Sequence, residues 1–246
     1  MRLLVSAGPT REFVDPVRFL SNRSTGKMGY AVARAAVEAG HEVVLVSGPV
    51  SLEPPPGLAA FVPVVSARDM LAAVQAELNG TDALVMTAAV ADWRPARCAS
   101  RKLKKSEMSG TLRLVRNPDI LKTINRQLHT GTTGILPVAH WDNGHLARCT
   151  GTTGVSPVAL IRIGFAAETG APTAEAVRKC REKGLDLVVG NDVTARGSGF
   201  GTTTNRVTFV TPDGRVQHLP LMSKLAVARR IVSFAESVAQ RKGANA

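Results

Sequence analysis

The chain has 246 residues, 44% of them hydrophobic and 20% charged, a profile that excludes bulk disorder and fits a folded domain with its own core. No apolar run reaches the about 18 residues of a membrane helix, and Met1 to Ala7 is too short for a signal-peptide core, so a cytoplasmic protein without a membrane partner is expected. The net charge of +12 calls for anionic partners such as phosphates, nucleotides or nucleic acid, while Cys98, Cys149 and Cys180 lack zinc-site spacing and read as free thiols.

Arg2 to Ser6 reads as a short buried strand that ends in Ala7-Gly8-Pro9-Thr10. A polar stretch holding Arg11, Glu12, Asp15 and Arg18 follows. Ser21 to Lys27 then leads into a helical pattern from Met28 to Ala39, closed by Gly40. His41 to Ser47 is a second strand, so the unit is βαβ and favours a parallel sheet. The alternation continues with a helix over Arg68 to Leu78 and a strand over Ala83 to Thr87. Next come a helix over Pro118 to Leu128 with Asn117 as its cap and a strand over Val158 to Phe165. A helix over Thr173 to Lys183 and a strand over Leu185 to Val189 follow. The expected fold is α/β: a Rossmann-like, doubly wound, mostly parallel sheet in a single domain over 1–246. Ligands then belong at the carboxyl ends of the strands. Asn205 to Val210 and Val216 to Leu219 flank the turn Pro212-Asp213-Gly214-Arg215 and predict a small C-terminal β-hairpin. An amphipathic helix over Met222 to Ala239 ends the chain.

One stretch breaks the alternation. Thr130 to Ala139 reads TGTTGILPVA and Thr150 to Ala159 reads TGTTGVSPVA. Two copies with little apolar content cannot stack a solenoid core. Residues 129–157 are therefore expected to be an exposed insertion, and no site is built on His140, Trp141 or His145 inside it.

Four constellations carry chemistry. Gly8 follows the first strand, and Ser24-Thr25-Gly26-Lys27 opens the next helix, where backbone N–H groups attract anions and Lys27 adds a cation. This pattern is neither GxxxxGK[ST] nor GxGxxG, so an ordinary turn and helix start is the competing reading. Thr87 to Trp93 follows a buried strand. Its small residues Ala88 and Ala89 admit a ligand to the backbone, and Asp92 offers a carboxylate for a hydroxyl, an amino group or a metal, or simply a structural cap. Arg101-Lys102-Leu103-Lys104-Lys105 puts Lys102 and Lys104 on one face if it is extended. It could close over a polyphosphate or be a solvated basic face. Gly164 to Thr169 places Phe165 at another strand end, suited to stacking on a base or to core packing. Lys179 and Lys183 share one helix face.

SAGPTREFVDPVRFLSNRSTGKMG, AAVADWRP, KLKK, NPDIL, GFAAET, DLVVGNDV and LPLMSK occur in this order, and together they resemble the phosphopantothenoylcysteine synthetase family over nearly all of the chain except the repeat stretch. The resemblance implies a ligase of coenzyme A biosynthesis. In it 4′-phosphopantothenate reacts with CTP, or alternatively ATP, to give an acyl nucleotidylate and pyrophosphate. L-cysteine then displaces the nucleotide monophosphate. Magnesium (or manganese) is required in the family, and no flavin is expected on this chain. A phosphopantothenoylcysteine decarboxylase, often fused ahead of this domain in bacteria, is implied as a separate functional partner.

The resemblance also implies residue roles. Asn22 and Arg18 stabilise the activated acyl intermediate. Lys102 is a flap lysine acting on the nucleotide and on transition-state charge, with Lys104 and Lys105 as weaker candidates. Ala88, Ala89, Asp92, Pro118, Asp119, Ile120, Leu121, Phe165, Lys179 and Lys183 contact the nucleotide. Ala89 is also near the cysteine-activation step. The family is a homodimer whose flap can act across the dimer, and the hairpin Asn205 to Leu219 is the expected contact. The insertion is the departure that matters, because it separates NPDIL from GFAAET.

Three rival readings remain, one of them a degenerate synthetase fold in which the insertion leaves nucleotide binding without turnover. An NAD(P)-dependent reductase lacks support, since there is no GxGxxG and Tyr30 is followed by Arg34 where a YxxxK pair needs lysine. A nucleic-acid-binding module without turnover is suggested by the charge, but aromatics are 4% of residues and no stacking platform is visible, so nucleic acid is not the expected partner.

Overall fold

The first strand, β1 (Arg2–Ala7), is buried along nearly its whole length, which requires cover on both faces of its sheet. The computed structural model, which describes residues 1–107, 110–130, 160–170 and 173–244, supplies that cover. After β1 come β2 (Arg11–Phe13), β3 (Phe19–Ser21), α1 (Lys27–Glu38), β4 (Glu42–Ser47), β5 (Ala60–Pro63), α2 (Ala67–Glu77) and β6 (Ala83–Met86). Then follow β7 (Trp93–Pro95), β8 (Leu114–Arg116), α3 (Ile120–Thr130), β9 (Ile161–Glu168), α4 (Thr173–Glu182) and β10 (Leu187–Asp192). The chain ends with β11 (Thr204–Asn205), β12 (Val207–Val210), β13 (Val216–His218), β14 (Met222–Ser223) and α5 (Lys224–Ala244).

Six parallel strands run in the order β5-β4-β1-β6-β9-β10. Winding starts at β1, proceeds outward to β5, and then returns to the other side of β1 with β6. This is the doubly wound order, and it leaves a crevice where the direction reverses, at the carboxyl ends of β1 and β6. The antiparallel strands β12 and β13 extend the β10 side. Leu3, Val5 and Ala7 of β1 pack toward α1 and α5, whereas Leu4 packs toward α2, α3 and α4. The two-residue period of the strand thus feeds two cores, and each fully buried Leu, Val or Ile contributes about 1.5–3 kcal/mol. Among the described residues no helix is long and apolar enough to cross a membrane.

The observed elements depart from the sequence expectation at several points. β5 is an additional parallel strand. Only Ala60 and Val62 of its four residues turn partly inward, too short an alternation to register as a period. The ribbons β2–β3, β7–β8 and β11–β14 are also shorter than periodicity can detect. The predicted hairpin is present as β12–β13, and Val207–Val210 also pairs with β10, so the hairpin extends the main sheet and leaves β13 at its edge among the described residues. Asn205 belongs to β11 and pairs with Met222. Asn117 does not cap α3. Asp119 does so, accepting from the Lys122 N–H at 3.1 Å, because helical geometry begins only at Ile120, after Pro118. Finally, α3 runs on to Thr130, so the expected insertion over 129–157 overlaps the helix end. Its remainder lies outside the described residues, as does the strand start at Val158.

α1 shows how closely the layers meet. At its far end it closes with Gly40 N–H on Val37 O and His41 N–H on Ala36 O, the paired bonds that satisfy last-turn carbonyls. At its near end Gly29 faces the sheet, where an added Cβ would lie 2.3 Å from Thr87 Oγ1 and 2.6 Å from Ala7 Cβ. Gly29→Ala is therefore expected to cost about 1–3 kcal/mol of stability by overpacking, read from the midpoint of urea unfolding.

Candidate active site

The crevice at the reversal point is closed by backbone bonds between the two loops that leave it. Thr10 N–H donates to Ala89 O at 3.3 Å, and Ala89 N–H donates to Gly8 O at 2.9 Å. The buried Thr10 hydroxyl accepts from Ala91 N–H, and Ser6 Oγ accepts from Ala88 N–H. Asn22 Nδ2 donates to Ala89 O at 2.9 Å. The loop after β1 and the loop after β6 thus form one floor, with only methyl groups at Ala88, Ala89 and Ala91. Above it lies a cleft of about 440 Å³.

Of the sequence candidates, Asn22, Ser24, Gly26, Lys27, Ala88, Ala89, Asp92 and Pro118 line this cleft. Asp119, Ile120, Leu121, Phe165, Lys179 and Lys183 do so as well. Five candidates do not. Gly8 packs against strand-end backbone instead, where a Cβ would lie 2.7 Å from Gly48 O. Arg18 pairs with the buried Asp15 and donates to Leu103 O at 2.9 Å. Asp15 also accepts from the Leu103 N–H at 3.2 Å. Arg18 therefore anchors the basic segment rather than facing the cleft floor. Lys102, Lys104 and Lys105 are exposed around that anchor and outside the cleft. The segment forms no strand, and Lys105–Glu107 is a 3-10 turn. Beside it, the ribbons β2–β3 and β7–β8 expose Phe19, Leu20, Trp93 and Leu114.

The cleft has two electrostatically different ends. At the α3–α4 end the lysines are already paired: Lys179 with Glu168 at 3.2 Å and Lys183 with Asp119 at 2.9 Å. Burial alone would push the Asp119 carboxyl up. Lys183 and the Lys122 N–H outweigh that and hold it below its ordinary value. Phe165, half-buried, supplies an apolar wall between these pairs and the floor. At the α1 end the situation is reversed. Gly26 sits at φ +75° before the helix, a conformation suited to glycine, and no side chain caps α1. Its first N–H groups therefore face the cleft uncapped, with the positive end of the helix dipole behind them. Lys27 Nζ donates to Gly201 O at 2.7 Å, and Lys224 Nζ donates to Gly199 O at 2.8 Å. Neither ammonium is paired with a carboxylate among the described residues. Burial, with Lys27 nearby, pushes Lys224 down to about 8.

Sequence reasoning missed several lining residues. Asn117 holds the floor through Nδ2 on Ala91 O at 2.8 Å. Asn191 and Asn205 reach the cleft from β10 and β11, joined by the Ser198 hydroxyl. Lys224 closes the LPLMSK segment, which was visible in the sequence without a role. Among the described residues no group of three His, Cys, Asp or Glu side chains could hold a metal. Asp92 is the cleft carboxylate without a protein partner among those residues.

The family described as the DNA/pantothenate metabolism flavoprotein C-terminal domain matches residues 1–136 and 151–238. The coenzyme A biosynthesis bifunctional protein CoaBC of Bacillus subtilis is 43% identical over 241 residues, covering 98% of this chain and 52% of that protein. The protein of the same name from Escherichia coli K12 is 37% identical over 227 residues, covering 91% and 48%. The chain thus spans about half the length of the curated relatives it matches. A crystal structure of the C-terminal domain of such a bifunctional protein superposes with a TM-score of 0.71 at 38% identity, covering 98% of this chain and 96% of that one. The flavoprotein from Streptococcus pneumoniae, at 20% identity and a TM-score of 0.71, shares the fold.

Arg18, with the Val17 and Leu103 N–H groups, holds the Asp15 carboxyl far below its ordinary value. The stability it adds is complete above the unfolded carboxyl value of about 4 and is lost as the pH falls from there toward the depressed folded value. Asp15→Asn should make the acid limb of a stability–pH curve shallower below about pH 4. It should also speed hydrogen exchange at the Leu103 amide. An unchanged Leu103 amide would remove Asp15 as the anchor of the basic segment.

Proposed function

The chain belongs to the family of DNA/pantothenate metabolism flavoprotein C-terminal domains, and from that premise we propose that it is a phosphopantothenate–cysteine ligase of coenzyme A biosynthesis, driven by CTP. The division of charge in the cleft is the observation that carries this reading. A polyphosphate is drawn to the end with the open N-terminus of α1 and with Lys27, which has no carboxylate partner among the described residues. A base and ribose fit the end where the lysines are already neutralised and Phe165 offers a flat apolar face. The Asn22–Ala89 floor between the two ends is where an acyl group would meet the α-phosphorus.

In the first step an oxygen of the 4′-phosphopantothenate carboxylate bonds to the α-phosphorus of CTP. The bond from that phosphorus to the β-bridging oxygen breaks, and pyrophosphate leaves. In the second step the cysteine amine bonds to the acyl carbon, the acyl–oxygen bond breaks, CMP leaves and the amine gives up a proton. Both steps bring anions together or build negative charge on phosphoryl oxygens. Fixed cations and helix N–H groups lower those barriers because they need no reorganisation. In this reading Asn22 orients the acyl group through its amide, and Ala88 and Ala89 admit the ligand to the backbone. Lys102 stabilises the transition state. It stands outside the cleft, so it acts either after the basic segment swings inward about its Asp15–Arg18 anchor or in the cleft of a second copy.

A homodimer is part of the same reading. Among the described residues β13 leaves one sheet edge unpaired with Val216 exposed, which supports the hairpin as a contact. Magnesium suits the donor set as a companion of the phosphates: it keeps phosphate and water ligands and needs few carboxylates, and Asp92 is available. Bound there, it would neutralise phosphate charge.

The test is pyrophosphate release with 4′-phosphopantothenate and magnesium, run with CTP and with ATP, with and without cysteine. Cysteine-stimulated turnover with CTP is the expected result. Faster turnover with ATP would change the nucleotide, and no turnover with either would end the ligase reading. Lys102→Gln should lower kcat by about 100-fold or more, as loss of a transition-state cation does, with an unchanged melting temperature.

A further inference from the structure

Lys224 is a cleft cation to which the reaction scheme gives no task. It is the first residue of α5, is 6% exposed, and still lines the cleft. An ammonium carries three donors. Two go to Gly199 O at 2.8 Å and Phe200 O at 3.4 Å, and neither carbonyl is charged. Lys27, from α1, is close enough to disfavour the Lys224 charge further. A buried charge without a counter-ion costs stability. A neutral amide could hold the same carbonyls without that penalty. The 199–201 strap is moreover held independently, by Thr25 Oγ1 on Phe200 O and Lys27 Nζ on Gly201 O. A staple alone therefore does not account for a lysine here, whereas an anion arriving from solution would supply the missing charge.

We infer that Lys224 is an anion-binding residue of the cleft, which together with Lys27 and the N–H groups opening α1 takes the phosphoryl oxygens of a phosphorylated ligand. Its spare donor takes the ligand first, and exchange of a strap carbonyl for a phosphoryl oxygen follows. Ligand binding and the strap are thereby coupled. The inference rests on the ligase reading only for the source of the phosphate. The polyphosphate of a nucleoside triphosphate and the phosphomonoester of the acyl substrate present the same chemistry.

Calorimetric titration of inorganic tripolyphosphate, CTP and 4′-phosphopantothenate into the wild type, Lys224→Gln and Lys224→Arg separates the cases. Gln keeps donors for the carbonyls but removes the charge. It should weaken tripolyphosphate and CTP about 10- to 100-fold, the effect of losing a charged hydrogen bond, while Arg restores most of the affinity. Weakening confined to 4′-phosphopantothenate would identify the phosphomonoester as the source and still support the assignment. Unchanged affinity for all three in folded Lys224→Gln would overturn it. If that variant does not fold, a crystal of the wild type with tripolyphosphate decides. A phosphate oxygen within hydrogen-bond distance of Lys224 Nζ supports the inference, and an anion bound elsewhere overturns it. Tripolyphosphate binding needs no turnover, so this inference and the ligase reading fail in separate experiments.

Discussion

A parallel sheet that winds outward in one direction and then in the other leaves a gap at the strand where it starts, and the rest of this molecule is organised around that gap. Here it opens beyond β1 and β6. The two chains leaving it would expose unpaired backbone in a partly buried place, which is costly. They pair with each other instead, through Thr10, Ala89 and Gly8. That pairing makes a rigid floor of small residues. It also fixes the Asn22 amide over Ala89 and sets the height at which α1, pressed in by the absence of a side chain at Gly29, presents its N-terminus.

The charges follow from the frame. α3 and α4 flank β9, and Lys179 of α4 and Lys183 just after it meet the carboxylates of Glu168 in β9 and Asp119 before α3. α1 and α5 lie together on the opposite face of the sheet, and their first residues bring Lys27 and Lys224 together where the described acids are absent. Two positive charges thus stand without carboxylate partners among the described residues at one end of one cleft. The same charges spread over the surface would be screened within about 8–10 Å at ordinary ionic strength. Inside a partly buried cleft they are felt far more strongly.

The basic segment is governed by a second, smaller device. Asp15 is buried and accepts hydrogen bonds from Val17, Arg18 and Leu103. It ties the ribbon between β1 and α1 to the residue lying between Lys102 and Lys104. The charged side chains stay in solvent while their backbone is held.

Much of the architecture was legible in the sequence because it rests on local rules. The βαβ alternation, the closure of α1 at Gly40 and the antiparallel pairing of Val207–Val210 with Val216–His218 follow from apolar periodicity and turn chemistry. The ordered motifs pointed to the family and to fourteen cleft residues. What lay hidden depends on contacts between residues far apart in the chain. Arg18 and Lys27 are both cations in one glycine-bearing stretch, yet one turns to a buried carboxylate and the other to the cleft. Asp15 lies only three residues before Arg18, but the burial of that carboxylate and the Leu103 contacts that complete the anchor come from a distant segment. Lys224 is silent in sequence for the same reason: its burial, its neighbour Lys27 and its carbonyl partners all come from other segments. Local patterning specifies the long strands and helices and the side chains they carry. Tertiary structure decided which charges are paired and which are left open, because pairing depends on distances that only the packed sheet and its helices set.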